Sequence, residues 1–190
     1  MRNAIFFDRD GTLLVEFGYL THPTQAVPYA RSGEAIRRAK AHGFLAIVVT
    51  NQSGIARAYL NEMQLEEIHD RVLALYAEDG GIDAVYYCPH HPDGTVPAFS
   101  RPCSCRKPAP GLGRAAADRF GIDLARSYVV GDKLTDVDFG RALGARPCLV
   151  RTGFGKREEA RAGAETLRDV HLAGDVLDAV DWAIGEDNRR

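Results

Sequence analysis

The sequence is short of what marks membrane, secreted or nucleic-acid-binding chains. No apolar run approaches the roughly 20 residues that a helix needs to cross a bilayer. Met1-Arg2-Asn3 leads into the short run Ala4–Phe7 and then meets acids at once, unlike a signal peptide. A cytoplasmic location is therefore the expectation, with no membrane partner. Basic residues are not in excess: 24 Lys and Arg face 26 Asp and Glu, for a formal net charge of -2. That balance leaves no electrostatic footprint for nucleic acid. An anionic substrate must then be held by local groups rather than by an overall field. Linkers, internal repeats and low-complexity segments are missing too, so residues 1–190 read as one domain. Cysteine is scarce, four in all, but Cys88, Cys103 and Cys105 crowd into one stretch with His90 and His91. Without a secretory signal, such crowding favours a metal site over disulfides. Cys148, within Pro147–Val150, reads as a small buried hydrophobe.

What is present is ordinary in bulk, 45% apolar and 26% charged, but ordered along the chain. Strand-like runs at Ala4–Phe7, Phe44–Val49, Ala84–Tyr87, Tyr128–Val130 and Arg146–Val150 alternate with helical patterns. The unbroken apolar character of Phe44–Val49 suits a strand buried on both faces of a parallel sheet. Helices are expected from about Gly33 to His42, with Ser32 as N-cap and Gly43 as stop, and from Glu62 to Glu78 with Leu65, Ile68, Val72 and Leu75 on one stripe. Others are expected after Pro110 as far as Phe120, where Gly121 stops the chain, and near Asp136–Leu143. After Thr152 the pattern predicts a helix, a short strand and a last amphipathic helix around Val176–Ile184. The fold class is α/β: a single doubly wound, Rossmann-like domain with a mostly parallel sheet.

Polar residues follow several of these runs. Asp8-Arg9-Asp10-Gly11 ends the first, Thr50-Asn51 the second, and Gly131-Asp132-Lys133 with Asp136 the fourth. Parallel topology would gather them at the carboxyl edge of the sheet, where open α/β sheets bind ligands. Two acids as close as Asp8 and Asp10 repel unless a cation joins them or one is protonated. Taken alone, the fragment reads equally well as a catalytic pair or a surface Asp-x-Asp-Gly turn. A hydroxyl, a lysine and several carboxylates at one rim suit phosphoryl transfer.

Phe7-Asp8-Arg9-Asp10-Gly11-Thr12, Thr50-Asn51-Gln52-Ser53-Gly54, Arg106-Lys107-Pro108 and Gly131-Asp132-Lys133-Leu134-Thr135-Asp136 resemble, in order and in strand-end context, the four motifs of the haloacid-dehalogenase-like phosphatases. The resemblance implies that Asp8 is the nucleophile forming an aspartyl-phosphate, and that Asp10 is the general acid and base. It implies that Thr50 and Lys107 stabilise the phosphoryl group, and that Asp8, the Asp10 backbone carbonyl and Asp132 hold Mg²⁺. To act first as an acid, Asp10 would need a raised proton affinity. Asp136 has three open roles: water-mediated metal contact, orientation of Lys133, or simply starting a helix.

Cys88-Pro89-His90-His91-Pro92 and Cys103-Ser104-Cys105 supply sulfur and imidazole, which favour zinc in a closed four-ligand site. Cys88, His90, Cys103 and Cys105 are assigned as its ligands, a zinc loop at 88–105, with His91 in place of His90 as the competing choice. Cys105 precedes Arg106 and Lys107, so this zinc would anchor cations that meet the substrate. The region Val15–Arg31 and the zinc loop are too short to form a large cap domain, which implies an open site and a small soluble substrate. Within the family, Gly18-Tyr19, Asn51–Arg57, Tyr86–Pro92 and Cys103–Pro108 are most similar to the branch that acts on a heptose bisphosphate and supplies ADP-heptose for lipopolysaccharide. The histidinol-phosphate branch is the alternative. On this resemblance, Glu16, Phe17, Gly18, Tyr19, Asn51, Gln52, Ser53, Arg106 and Lys133 bind a sugar phosphate. Arg57 is open between a sugar contact and a solvated surface position. A monomer is expected. A non-catalytic, zinc-stabilised interaction module would predict a broken aspartate pair or a missing lysine, and neither is found.

Overall fold

Alternating side-chain direction along buried apolar runs, rather than length, decides how the chain is layered. In the computed structural model, which describes residues 1–189, the strands are β1 (Ala4–Phe7), β2 (Leu45–Asn51), β3 (Ala84–Cys88), β4 (Tyr128–Gly131), β5 (Arg146–Val150) and β6 (His171–Ala173). They form one sheet in the order β3-β2-β1-β4-β5-β6, and every neighbouring pair is parallel. The expectation of a mostly parallel sheet thus becomes a wholly parallel one. Ile5, Phe7, Ala46 and Val48 face one core, while Ala4, Phe6, Leu45, Ile47 and Val49 face the other. The period of two explains why these runs carry no polar residue: both faces are covered.

The first face is covered by helices α1 (Ser32–Ala41) and α2 (Glu62–Leu75), together with the carboxyl-terminal helix. On the second face lie α3 (Gly111–Phe120) and α4 (Leu134–Leu143), where Phe139 meets Phe6 edge-on at 6.5 Å between ring centres. A short α5 (Gly155–Arg161) and the last helix, α6 (Val176–Asp187), complete the order. Among the described residues no helix is long and apolar enough to cross a membrane.

Three helix boundaries differ from those expected. Ser32 does not cap α1; it is the helix's first residue, buried, with its hydroxyl donating to the Tyr29 carbonyl (2.8 Å) and bonded to the Tyr76 hydroxyl (3.0 Å). Helix α2 stops at Leu75 because Tyr76 turns inward, its hydroxyl donating to the Leu13 carbonyl at 3.0 Å, before a 3-10 turn over Ala77–Asp79. Helix α4 starts at Leu134, because Asp136 reaches back to accept from the Lys133 N–H at 3.1 Å. Strand β2 also runs on to Asn51, which puts Thr50 within the strand. The strand order reverses between β1 and β4, and a parallel sheet opens its ligand crevice at such a switch point.

Candidate active site

Asp8 follows β1 directly, its N–H donating to the Val130 carbonyl at 2.9 Å, and only 6% of it is exposed. Lys107 is carried in from the far side by a reciprocal pair with Asn51. Its N–H donates to Asn51 Oδ1 (3.0 Å) and its carbonyl accepts from Asn51 Nδ2 (3.1 Å). Lys107 Nζ then lies 2.7 Å from Asp8 Oδ1, 2.7 Å from the Val49 carbonyl and 2.6 Å from Asp136 Oδ1. Burial works against its charge, but Asp136 and Asp8 outweigh that and hold the ammonium above its usual proton affinity. Asp136 therefore orients Lys107 through its carboxylate and begins α4 through the Lys133 N–H. Of the open roles, helix starting is found, and the lysine that it orients is Lys107 rather than Lys133.

Asp132, after β4, is fully buried. Its Oδ2 accepts from the Phe154 N–H at 2.8 Å, whereas Oδ1 has no hydrogen-bond partner among the described residues and lies 3.7 Å from Lys133 Nζ. Burial, then the Asp8 charge, pushes its proton affinity up to about 8. Gly11 and Gly153 both have positive φ, and a Cβ on either would lie within 2.2 Å of Asp132 Oδ2. Only glycine lets the loops close over this carboxylate. Oxygens of Asp8, Asp132 and Asp136 lie within 4.8 Å of one another. An orphaned carboxylate oxygen in an all-oxygen set is the environment that a hard divalent cation relieves, so the donor set fits Mg²⁺.

Asp10 is gripped from behind. Arg9 Nε and Nη2 donate to its two oxygens at 3.0 and 2.8 Å, and Gln52 Nε2 donates to Oδ2 at 3.0 Å. Burial alone would raise its proton affinity, but the Arg9 charge and these hydrogen bonds hold it below the ordinary carboxylate value. The expected raised affinity is therefore not found in this site, because its neighbour in sequence is a buried guanidinium. Gln52 Nε2 also donates to the Thr50 hydroxyl at 2.8 Å, linking two strand-end residues.

A cavity of about 600 Å³ opens over these groups and is lined by Asp8, Asp10, Glu16, Gly18, Tyr19, Thr50, Asn51, Gln52, Ser53, Arg106, Lys107 and Lys133. Phe17, expected among them, lies outside the lining and is 58% exposed. Gly18, at φ +88°, donates its N–H to Glu16 Oε1 at 2.6 Å. That tight turn folds Glu16 inward, 3.3 Å from Lys133 Nζ, and leaves Phe17 outside. The sequence reading missed Pro108, Thr135 and Phe154, which also line the cavity. Phe154 lies just past the β5 run, so the strand-end argument applied there would have found it. Its ring lies 4.8 Å from Lys133 Nζ and 4.6 Å from the Arg157 guanidinium carbon.

The cysteine–histidine loop closes beside this cavity. Cys88 ends β3 and its carbonyl accepts from the Gln52 N–H at 2.8 Å. Its Sγ lies 3.7 Å from His90 Nδ1, 3.5 Å from Cys103 Sγ and 3.1 Å from Cys105 Sγ; Cys105 Sγ is 3.3 Å from His90 Nδ1 and 3.2 Å from Cys103 Sγ. These separations are far too long for disulfides, and the cysteines are free. They approach the edges of a tetrahedron with metal–ligand bonds of about 2.0–2.3 Å, so the four donors fit zinc. His91 turns elsewhere: Nδ1 accepts from the Asp93 N–H at 3.1 Å and Nε2 lies 3.3 Å from Arg57 Nη2. Arg57 is half-buried, packs on His91 and does not line the cavity. Arg106 Nη1 donates to the His90 carbonyl at 3.2 Å, so loop and cavity share a strut. Cys148 is buried, as expected.

Comparison with known proteins agrees with this geometry. Residues 104–179 match a family model described as HAD-hydrolase-like. The chain is 44% identical over 165 residues to the D-glycero-beta-D-manno-heptose-1,7-bisphosphate 7-phosphatase of Escherichia coli (strain K12), covering 85% of this chain and 86% of that one. It is 43% identical over 165 residues to the enzyme of the same name from Salmonella typhi, covering 85% and 87%. Among solved structures, it superposes with a TM-score of 0.85, at 32% identity, on D,D-heptose 1,7-bisphosphate phosphatase from B. bronchiseptica complexed with magnesium and phosphate. That match covers 97% of this chain and 99% of the other.

Proposed function

Since this chain belongs to the haloacid-dehalogenase-like phosphatases and is a phosphatase, we propose that it removes the C7 phosphate of D-glycero-D-manno-heptose 1,7-bisphosphate and leaves the C1 phosphate in place. Support for the substrate comes from the names of its relatives; support for the chemistry comes from one observation. Asp8, Lys107 and the orphaned oxygen of Asp132 converge at the switch point of the sheet, beside a cavity sized for a sugar phosphate.

In this reading the C7 phosphoryl group sits between Asp8, Thr50 and Lys107. Asp8 attacks phosphorus, the bond to the C7 oxygen breaks, and an aspartyl-phosphate forms. Asp8, the Asp10 carbonyl and Asp132 would hold Mg²⁺, which when bound would supply positive charge for the phosphoryl oxygens. Asp10, anionic beside Arg9 in the free site, gains a proton as the phosphate brings its own negative charge. It passes this proton to the leaving C7 oxygen, then takes one from the water that hydrolyses the intermediate. Lys107 keeps Asp8 aimed and offsets charge that builds on the phosphoryl oxygens. Arg106 offers paired donors for the distal phosphate, and Glu16, Tyr19, Asn51–Ser53 and Lys133 complete the sugar contacts.

Cys88, His90, Cys103 and Cys105 would hold zinc, which when bound would have a structural part, fixing the loop from which Arg106 and Lys107 emerge. The test is phosphate release, with Mg²⁺, from the two anomers of the heptose bisphosphate and from histidinol phosphate in parallel. The beta anomer, named in the relatives, should be turned over fastest. A preference for histidinol phosphate would overturn the substrate assignment.

A further inference from the structure

Arg9 is wholly buried, at 0% exposure, and its one carboxylate partner among the described residues is Asp10. A guanidinium out of water is costly, and one carboxylate offsets that cost only in part. The cost is raised here because Nη1 is buried without a partner. Packing alone would be served better by an apolar side chain. Behind it, on α2, His69 is 7% exposed with Nε2 unpartnered, and burial and the Arg9 charge lower its proton affinity to about 3. No other carboxylate among the described residues competes for Arg9, and its fork is committed to Asp10. Asp10 Oδ1 is held by Arg9 Nε, and Oδ2 is shared between Arg9 Nη2 and Gln52 Nε2. Asp10 itself reaches the cavity, its side chain 13% exposed.

We propose that Arg9 is a positioning residue for Asp10. Its in-plane fork fixes the rotation of the carboxyl group so that one orientation serves both half-reactions. In the first, the Asp10 O–H bond breaks as the C7 oxygen gains the proton, the phosphorus–oxygen bond to C7 breaks, and the phosphoryl group passes to Asp8. In the second, a water proton moves to Asp10 while the water oxygen bonds to phosphorus and the Asp8–phosphorus bond breaks. A carboxyl group free to rotate would have to find its geometry twice per turnover. This inference rests on the mechanism proposed above.

The test uses leaving groups. Phosphoryl transfer from heptose bisphosphate needs a proton on an alkyl oxygen; transfer from 4-nitrophenyl phosphate does not, because that leaving group is stable as an anion. Arg9→Lys keeps the charge but loses the fork, and Arg9→Gln is the second variant should the lysine form fail to fold. With Mg²⁺ present, kcat/KM for heptose bisphosphate should fall roughly 100-fold, the scale of general-acid assistance. For 4-nitrophenyl phosphate the fall should be about threefold or less. Equal losses on both substrates, or no loss on either, would overturn the role of Arg9. Asp10→Asn is run in parallel. If it is selective for the alkyl ester and the Arg9 variants are not, the Arg9 inference alone fails. If Asp10→Asn is itself unselective, the acid–base assignment beneath it fails.

Discussion

At the carboxyl edge of the sheet, Asp8 and Asp132 follow strands and Asp136 opens a helix, each almost wholly buried. Beside them, apart from Cys88 at the end of β3, the thiol and imidazole donors sit on a loop with no regular structure. The rim carries a counter-charge of its own, because Lys107 bridges Asp8 and Asp136. In the loop the four donors lie against one another, and Arg101 Nη2 lies 3.2 Å from His90 Nε2. Backbone order therefore places the oxygens, whereas the loop brings together a sulfur and imidazole set that fits a metal ion. The regions meet at Arg106 and Lys107, so the loop positions the cation of the rim.

The widest separation between the regions should come from Asp8→Asn. Activity should fall by roughly 10⁴-fold or more, as when a nucleophile is removed, with far-UV circular dichroism and zinc content unchanged. Phosphate release at the wild-type rate would remove Asp8 from the mechanism. Lys107→Met strikes the shared residue. It leaves Asp8 and Asp136 facing each other in a buried site, so stability should drop by about 3–5 kcal/mol. Turnover should fall roughly 10²–10³-fold, read by denaturant melts and kinetics together. A variant as stable as the wild type would show that the rim does not depend on its internal cation.

Stripping zinc tests the loop alone. Turnover should decrease by roughly 10–100-fold, and hydrogen exchange should quicken across residues 88–105 but not in β1 or β4. Full activity after metal analysis confirms extraction would break the link between the two regions. The last effect concerns acid and vanishes at neutral pH. His69 backs the rim, with its proton affinity lowered from 6.5 to about 3 by burial and by Arg9. The unfolded chain therefore binds this proton first, so the stability present above pH 6.5 is lost as the pH falls towards 3. The slope should be about 1.4 kcal/mol per pH unit from this group. His69→Leu should flatten that slope in Mg²⁺-containing melts; an unchanged slope would assign the acid sensitivity elsewhere.

Much of this arrangement is legible in the residues themselves. Asp8, Asp132, Thr50 and Lys107 follow or end apolar runs or share one short motif, and parallel topology has only one edge on which to gather them. Cys88, His90, Cys103 and Cys105 are equally legible, since few other fates suit thiols this close. The failures are local and have causes. Ser32 has the chemistry of a cap, but Tyr76, far away in sequence, takes its hydroxyl into the core. Phe17 is thrown outward by the turn at Gly18. Arg57 is drawn off by His91.

Sequence by itself determined the alternation of strand and helix, the two donor sets and the family, because periodicity and ligand chemistry are properties of short stretches. Tertiary structure alone decided the electrostatics. That Asp132 is pushed up to about 8 while Asp10 is held low depends on burial and on which charges lie across a gap of a few ångströms. Lys107 and Asp8 are 99 residues apart in the chain but 2.7 Å apart in space. Coulomb interactions and desolvation act through space, and only the folded chain sets those distances.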